Sequence, residues 1–379
     1  MKYINYILLT ALFLLISNTI SSSVSFICLL LLVGTNIIIV KKGKIKVPIY
    51  FYIALVIYFI FLTIGLFYGH HDAQIDIKFQ LFCFLFYLFL LNKKDFDILP
   101  FLFLINYITL GVYILLYLGK FPNFWHTTII GFQGRVYGPS IIPIVLISFY
   151  YLIKNKNFDI KLAIAFIIAM PSLLLTTNLM NIVIAGILLA LLVVDFKKLI
   201  QPKFIFIIIG IGLSSVLFFN SDYAPDLIKQ KIPYLLDPFE YPSLKIRVND
   251  LNAALKKENF SITEKIFGNG FGASTTIYRE NEKVQAFSGY MTFQEIDNGF
   301  YYLYHRGGYL LLFLFISIHI YLISIIDSLK VKIGFISIVL ITCLLSIHYF
   351  NNMFYLIIIF MILSKREKKT YNEVLPAKM

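Results

Sequence analysis

Apolar stretches long enough to cross a hydrocarbon core recur along this chain from end to end. A core of roughly 30 Å needs about 20 helical residues per crossing, and twelve segments approach that length: 3–20, 23–40, 47–68, 78–92, 98–118, 139–153, 161–176, 179–195, 204–219, 298–327, 332–348 and 350–364. Only 14% of residues are charged while 59% are hydrophobic, against roughly 25% charged in soluble domains. The expected fold is an all-α polytopic transmembrane bundle of about 12 helices. Residues 1–219 form helices one to nine, 220–297 one large extracytoplasmic loop containing short helices, 298–364 helices ten to twelve, and 365–379 a cytoplasmic tail.

The net charge of +13 does not point to a nucleic-acid partner, because its basic residues sit in short loops on alternate sides of the apolar segments. Loops on one side hold 20 Lys/Arg and short loops on the other hold three, Lys78, Lys120 and Arg135. By the positive-inside rule the rich side is cytoplasmic, and both termini lie there. The loop from 220 to 297 then lies outside; its nine Lys/Arg are no obstacle, because long loops translocate largely regardless of charge. The first segment has the look of a signal peptide, but no A-x-A-like site follows it, so an uncleaved helix is favoured. Cys28, Cys83 and Cys343 lie in apolar segments, which implies packing and no disulfide framework. No metal is expected: His70-His71-Asp72 is the only dense cluster, and adjacent histidines point apart on a regular backbone.

Most polar side chains able to do chemistry are concentrated in the long outer loop, and a membrane protein keeps such groups where it works. Ser243 can cap a helix with an apolar stripe at Leu244, Val248, Leu251 and Leu255. Arg247 sits beside that stripe, its guanidinium either reaching the protein or snorkelling over apolar surface. Ser261-Ile262-Thr263-Glu264 reads as a capping box and Gly268 as the C-cap that ends its helix. Gly268, Gly270 and Gly272 lack dinucleotide-binding spacing. They fit positive backbone angles in a tight crossing, with close approach of the backbone to a ligand as the second reading.

From 298 to 327 the chain offers about 30 residues of helix, or about 45 Å, so its outer end should project into the headgroup region. That end carries Asp297, Asn298, Tyr301, Tyr302, Tyr304, His305 and Arg306, with Asp297, Tyr301, Tyr304 and Gly308 along one face. An aromatic belt accounts for tyrosines. It does not account for an acid, an amide, an imidazole and a guanidinium in the same three turns. Arg135, in Gly131-Phe132-Gln133-Gly134-Arg135-Val136-Tyr137-Gly138, is the one arginine in a short outer loop. Its planar fork of donors suits phosphate oxygens, and we read it as a ligand contact in preference to an interfacial anchor.

Four features together resemble the O-antigen polymerases and O-antigen ligases, the Wzy-type and WaaL-type integral membrane glycosyltransferases. These are G-R-x-x-G at Gly134 to Gly138, Arg247 ahead of an amphipathic segment, I-F-G-x-G-F-G at Ile266 to Gly272, and D-N-G-F-x-x-L-x-x-x-G-G at Asp297 to Gly308. The resemblance implies transfer of a glycan from an undecaprenyl pyrophosphate carrier at the outer face of the bacterial cytoplasmic membrane, without cofactor or obligatory metal. Arg135 and Arg247 then match arginines that hold the pyrophosphate. Ligases usually carry His-Asn where this chain has Asp297-Asn298, which favours a polymerase. The implied partners are the lipid-linked oligosaccharide, membrane lipids, a chain-length regulator and a repeat-unit flippase.

Cleaving a glycosyl pyrophosphate develops negative charge that guanidinium groups stabilise in the transition state. The acceptor hydroxyl must lose a proton, and Asp297 is the first candidate base because burial at a helix mouth would raise its proton affinity. His305 is the second. Asn298, Tyr301, Tyr304 and Gly270 are the candidate substrate-binding positions. A ligase remains the rival within the class, and a lipid-linked oligosaccharide flippase the rival from another, although the outer loop has no counterpart in the first half of the chain, as repeat-built transporters would require.

Overall fold

Where apolar segments are described, they are helical. The computed structural model describes residues 27, 30–31, 49–68, 70, 76, 100, 102–104, 106–108, 111, 148–150, 153, 164, 169, 179–193, 233–237, 240–257, 260–279 and 289–347. Within these, α1 spans Ile49–Phe67, α2 Leu179–Val193, α3 Pro233–Leu236, α4 Pro242–Lys257, α5 Ile262–Phe267, α6 Gly299–Ser324 and α7 Leu329–Leu345. The described part is thus mostly helical. Among the described residues one helix, α6, is long and apolar enough to cross a membrane. Four of the twelve expected segments coincide with α1, α2, α6 and α7; for the others the described residues are too few or absent.

The loop holds more than the expected short helices. Strands β1, Thr275–Arg279, and β2, Gly289–Phe293, pair antiparallel with Thr275 opposite Phe293 and Arg279 opposite Gly289. β-branched and aromatic residues favour this pleated conformation. Alternation sends Thr275 and Ile277 inward, while Tyr278 and Tyr290 meet on the other face with ring centroids 5.3 Å apart. A lone strand pair is marginal unless it packs on something. Here Ile277 packs with Ala254 of α4, Ile296 and Tyr301 of α6.

Contacts divide the chain into two units. One comprises Met1–Leu104, Arg247–Asp327 and Ile338–Met379, the other Ile105–Ile246 and Ser328–Ser337. In the second, α2 buries Ile184, Ala185, Leu188 and Leu191 along one face, and Tyr234 and Tyr241 are in ring contact at 5.3 Å. All the candidate site residues described below belong to the first.

Helix α4 starts two residues earlier than the sequence suggests. Pro242 occupies its first turn, where a missing N–H costs nothing, so Ser243 is inside the helix and not its cap. Its inward face is also rotated: Ala254 is fully buried while Leu255 is 52% exposed. Arg247, Asp250, Leu251 and Ala254, at i, i+3, i+4 and i+7, therefore share the face that meets protein. Helix α5 carries the expected capping box. The Ser261 hydroxyl accepts from the Glu264 amide, Glu264 returns to the Ser261 amide at 2.7 Å, and Gly268 closes the helix with φ 71°.

Helix α6 is broken. Gly307 and Gly308 leave helical geometry, Gly308 with φ 57°. Such a break turns out the carbonyls of His305 and Arg306, and each finds a partner in the glycine loop: the amides of Asn269 and Gly270 donate to them at 2.9 Å. The approach is so close that a Cβ on Gly308 would overlap the backbone of Ile266. On the other side of the loop, a Cβ on Gly270 would overlap the backbone of Gly65 in α1. Phe271 seals the crossing against Phe61, at 6.0 Å between ring centroids and with both side chains buried. Buried residues of α6 cluster before the break, while Phe313, Ile318, Ile320 and Tyr321 after it are exposed and apolar.

Candidate functional site

The N-terminal two turns of α6 collect the polar groups, and Asn298 sets their origin. Its side-chain oxygen accepts from the Tyr301 amide at 2.9 Å, and its Nδ2 donates to the Leu344 carbonyl at 3.0 Å. Both ends of the amide are thus committed to capping α6 and tying it to α7. Immediately before the cap, Asp297 meets Arg247 of α4, with Oδ2 3.0 Å from Nε. Arg247 also donates from Nη1 to the Leu345 carbonyl at 2.6 Å. The pair is accessible, with 31% of the Arg247 side chain and 46% of the Asp297 side chain exposed. The guanidinium and the carboxylate singled out in the sequence, 50 positions apart, therefore meet at one helix mouth. Asp297 is half-exposed there and not buried as expected.

A second arginine stands nearby. Arg279 of β1 grips Asp250 with both Nε and Nη2, the Nε bond being 3.0 Å, and lies 4.8 Å over the Phe293 ring. The bond to Asp250 raises its proton affinity above the ordinary arginine value; burial opposes this, and charge from Asp250 and Asp297 adds to it. Neither Asp250 nor Arg279 stands out in the sequence, because their meeting depends on the strand pairing.

Deeper in the same unit lies a buried polar network centred on Asp76, with 1% of the residue exposed. Its Oδ2 accepts from the Gly272 amide at 2.7 Å and from Arg306 Nε at 3.0 Å, and its Oδ1 accepts from the Tyr302 hydroxyl at 2.5 Å. Arg306 goes on to donate from Nη2 to the Gln294 carbonyl at 2.6 Å and from Nη1 to His305 Nδ1 at 3.1 Å, with its guanidinium 4.8 Å from the Tyr302 ring centroid. His305 Nε2 lies 3.1 Å from the Thr275 hydroxyl, which lies 3.0 Å from the Tyr301 hydroxyl. The imidazole stacks on Tyr301 at 5.5 Å.

The sequence-predicted residues therefore fall into two groups. Arg247 and Asp297 are open to a ligand. Asn298, Tyr301 and His305 are buried and bonded within the protein, and Gly270 is packed against α1. Tyr304 is half-buried between Phe260 and Tyr309, with centroids at 5.4 and 5.1 Å. Arg135 lies outside the described residues. His70 clamps the glycine loop by donating from Nε2 to the Asn269 carbonyl at 3.0 Å. Asp76 was missed, although an acid at the edge of an apolar segment is expensive enough to suggest a buried partner.

No protein-family model matches the chain, and no curated protein matches it at a significant level.

Proposed function

We propose that this chain is a membrane glycosyltransferase that polymerises undecaprenyl-pyrophosphate-linked oligosaccharide repeats into O-antigen, capsular or exopolysaccharide. It works at the outer face of the bacterial cytoplasmic membrane as a bundle of about twelve helices with both termini inside. The observation that carries this reading is the Arg247–Asp297 pair at the mouth of α6, half-open and 3.0 Å across. It joins the two chemistries the reaction needs: a fixed positive charge for pyrophosphate and a carboxylate for the acceptor's proton.

At rest each member neutralises the other. An arriving pyrophosphate offers the guanidinium more negative charge and paired oxygens, which releases Asp297 toward the acceptor. The acceptor hydroxyl then attacks the anomeric carbon and passes its proton to Asp297. The bond from that carbon to the pyrophosphate oxygen breaks, and undecaprenyl pyrophosphate leaves with inverted configuration at carbon. Arg247 stabilises the charge gathering on the leaving group, an interaction that strengthens toward the transition state. Arg135 is the second guanidinium of this scheme, and the half-buried Tyr304, beside the same turns, is the aromatic side chain placed against the sugar.

A broken spanning helix also occurs in transporters, where its ends are left to coordinate cargo. In α6 the carbonyls at the break accept from Asn269 and Gly270 instead, which leaves the flippase reading without that support. The test is the glycan profile of a deletion strain. Products with a single repeat are expected; long unattached lipid-linked chains would instead indicate a ligase.

A further inference from the structure

The buried network has a direction that follows from donor chemistry alone. Arginine can only donate, so His305 Nδ1, 3.1 Å from Arg306 Nη1, must accept. A neutral imidazole that accepts at one nitrogen carries its proton on the other. His305 Nε2 therefore donates to the Thr275 hydroxyl 3.1 Å away, and that hydroxyl can pass its own proton toward Tyr301, 3.0 Å further on. The guanidinium that imposes this order is itself held by Asp76, which also grips the glycine loop through the Gly272 amide.

We propose that Asp76 is a positioning residue of this site: acting through Arg306, it fixes His305 as an Nε2–H donor to Thr275 and so sets the first two turns of α6 under Asn298 and Asp297. His305 is then an orienting donor and not a base. Asp76, Arg306 and His305 form a buried file in which the carboxylate orients the guanidinium and the guanidinium chooses the tautomer. The file reaches the candidate site by two routes. Thr275 begins the strand that ends at Arg279, the partner of Asp250. Tyr301 receives the cap from Asn298, next to Asp297. The positioning role rests on the glycosyltransferase reading; the tautomer assignment does not.

The experiment uses the full chain in lipid vesicles with ring-labelled ¹⁵N-histidine, the His305 signals being assigned by their loss in His305→Gln. Solid-state NMR is expected to find His305 with a bare Nδ1 and a protonated Nε2. The paired variant Asp76→Asn with Arg306→Met removes both buried charges while leaving an acceptor for Gly272. It is expected to show mixed His305 tautomers and at least a tenfold lower rate of polymer formation, with KM for the lipid-linked repeat little changed. His305→Gln, whose amide can replace the Nε2 donor, is expected to retain at least a tenth of wild-type polymer. A protonated Nδ1 in the wild type overturns the proposal, as does a folded paired variant with full activity or a His305→Gln variant with none. If the paired variant does not fold, the wild-type spectrum and His305→Gln decide it. A wild type with the expected tautomer but no polymerising activity removes the functional reading and leaves the tautomer assignment standing.

Discussion

The Asp76–Arg306 and Arg247–Asp297 pairs share their chemistry and an Nε–Oδ2 separation of 3.0 Å, yet differ in surroundings. The side chains of the first are 2% and 4% exposed, those of the second 46% and 31%, carboxylate before guanidinium. Burying an ion pair costs several kcal/mol per charge unless every remaining lone pair and proton finds a partner. At Asp76 the Gly272 amide and Tyr302 hydroxyl supply these partners, and at Arg306 the Gln294 carbonyl and His305 do. The open pair carries little such cost and, by the same argument, contributes little to stability. An ion pair cheap to separate is the one able to exchange partners with a ligand.

The sharpest way to break this comparison is at the buried carboxylate. Asp76→Ala leaves Arg306 charged and unpaired in the interior, which should cost about 3 to 5 kcal/mol; a lowered thermal unfolding midpoint in detergent checks it. Next comes Gly270→Ala. A residue with a Cβ at φ 81° pays about 1 to 2 kcal/mol for left-handed backbone, and overlap with Gly65 should add about 1 to 3 kcal/mol. The same melting measurement should place it just below Asp76→Ala in severity.

A smaller effect belongs to the cap of α5. Ser261→Ala should cost about 1 kcal/mol, seen as earlier proteolytic cutting of the outer loop. The bonds from the Ser261 hydroxyl and amide hold the Glu264 carboxyl below its ordinary value of 4.5. A carboxylate lowered in the folded state stabilises it above its unfolded value and loses that contribution as pH falls through the folded one. The wild-type loop should therefore become more susceptible to cutting below pH 4.5, and Ser261→Ala should flatten that dependence.

What sequence made legible were features decided by neighbours along the chain. The capping box at Ser261 and Glu264, the C-cap at Gly268, the positive angles in the glycine loop and the helices at α1, α2, α6 and α7 all depend on short-range pattern. The polar head of α6 was equally visible as a crowd of unlike groups. What stayed hidden depends on partners brought from afar. Asp76 is 230 positions from Arg306, and nothing near it in sequence announces a guanidinium. The strands at Thr275 and Gly289 are only five residues each and are fixed by pairing with one another and packing on α4 and α6. Asn298, Tyr301 and His305 stand out in the sequence, but side-chain type alone does not separate a group that touches a ligand from one that holds a helix in place.

The smallest expected change in stability belongs to Arg247→Ala, at about 0 to 1 kcal/mol, and it carries the largest expected change in function. In a deletion strain complemented with that variant, at wild-type protein level in the membrane, the glycan profile should collapse to single-repeat products. A wild-type distribution of chain lengths from the same cells would contradict the account, because the open guanidinium would then have no part in holding the pyrophosphate.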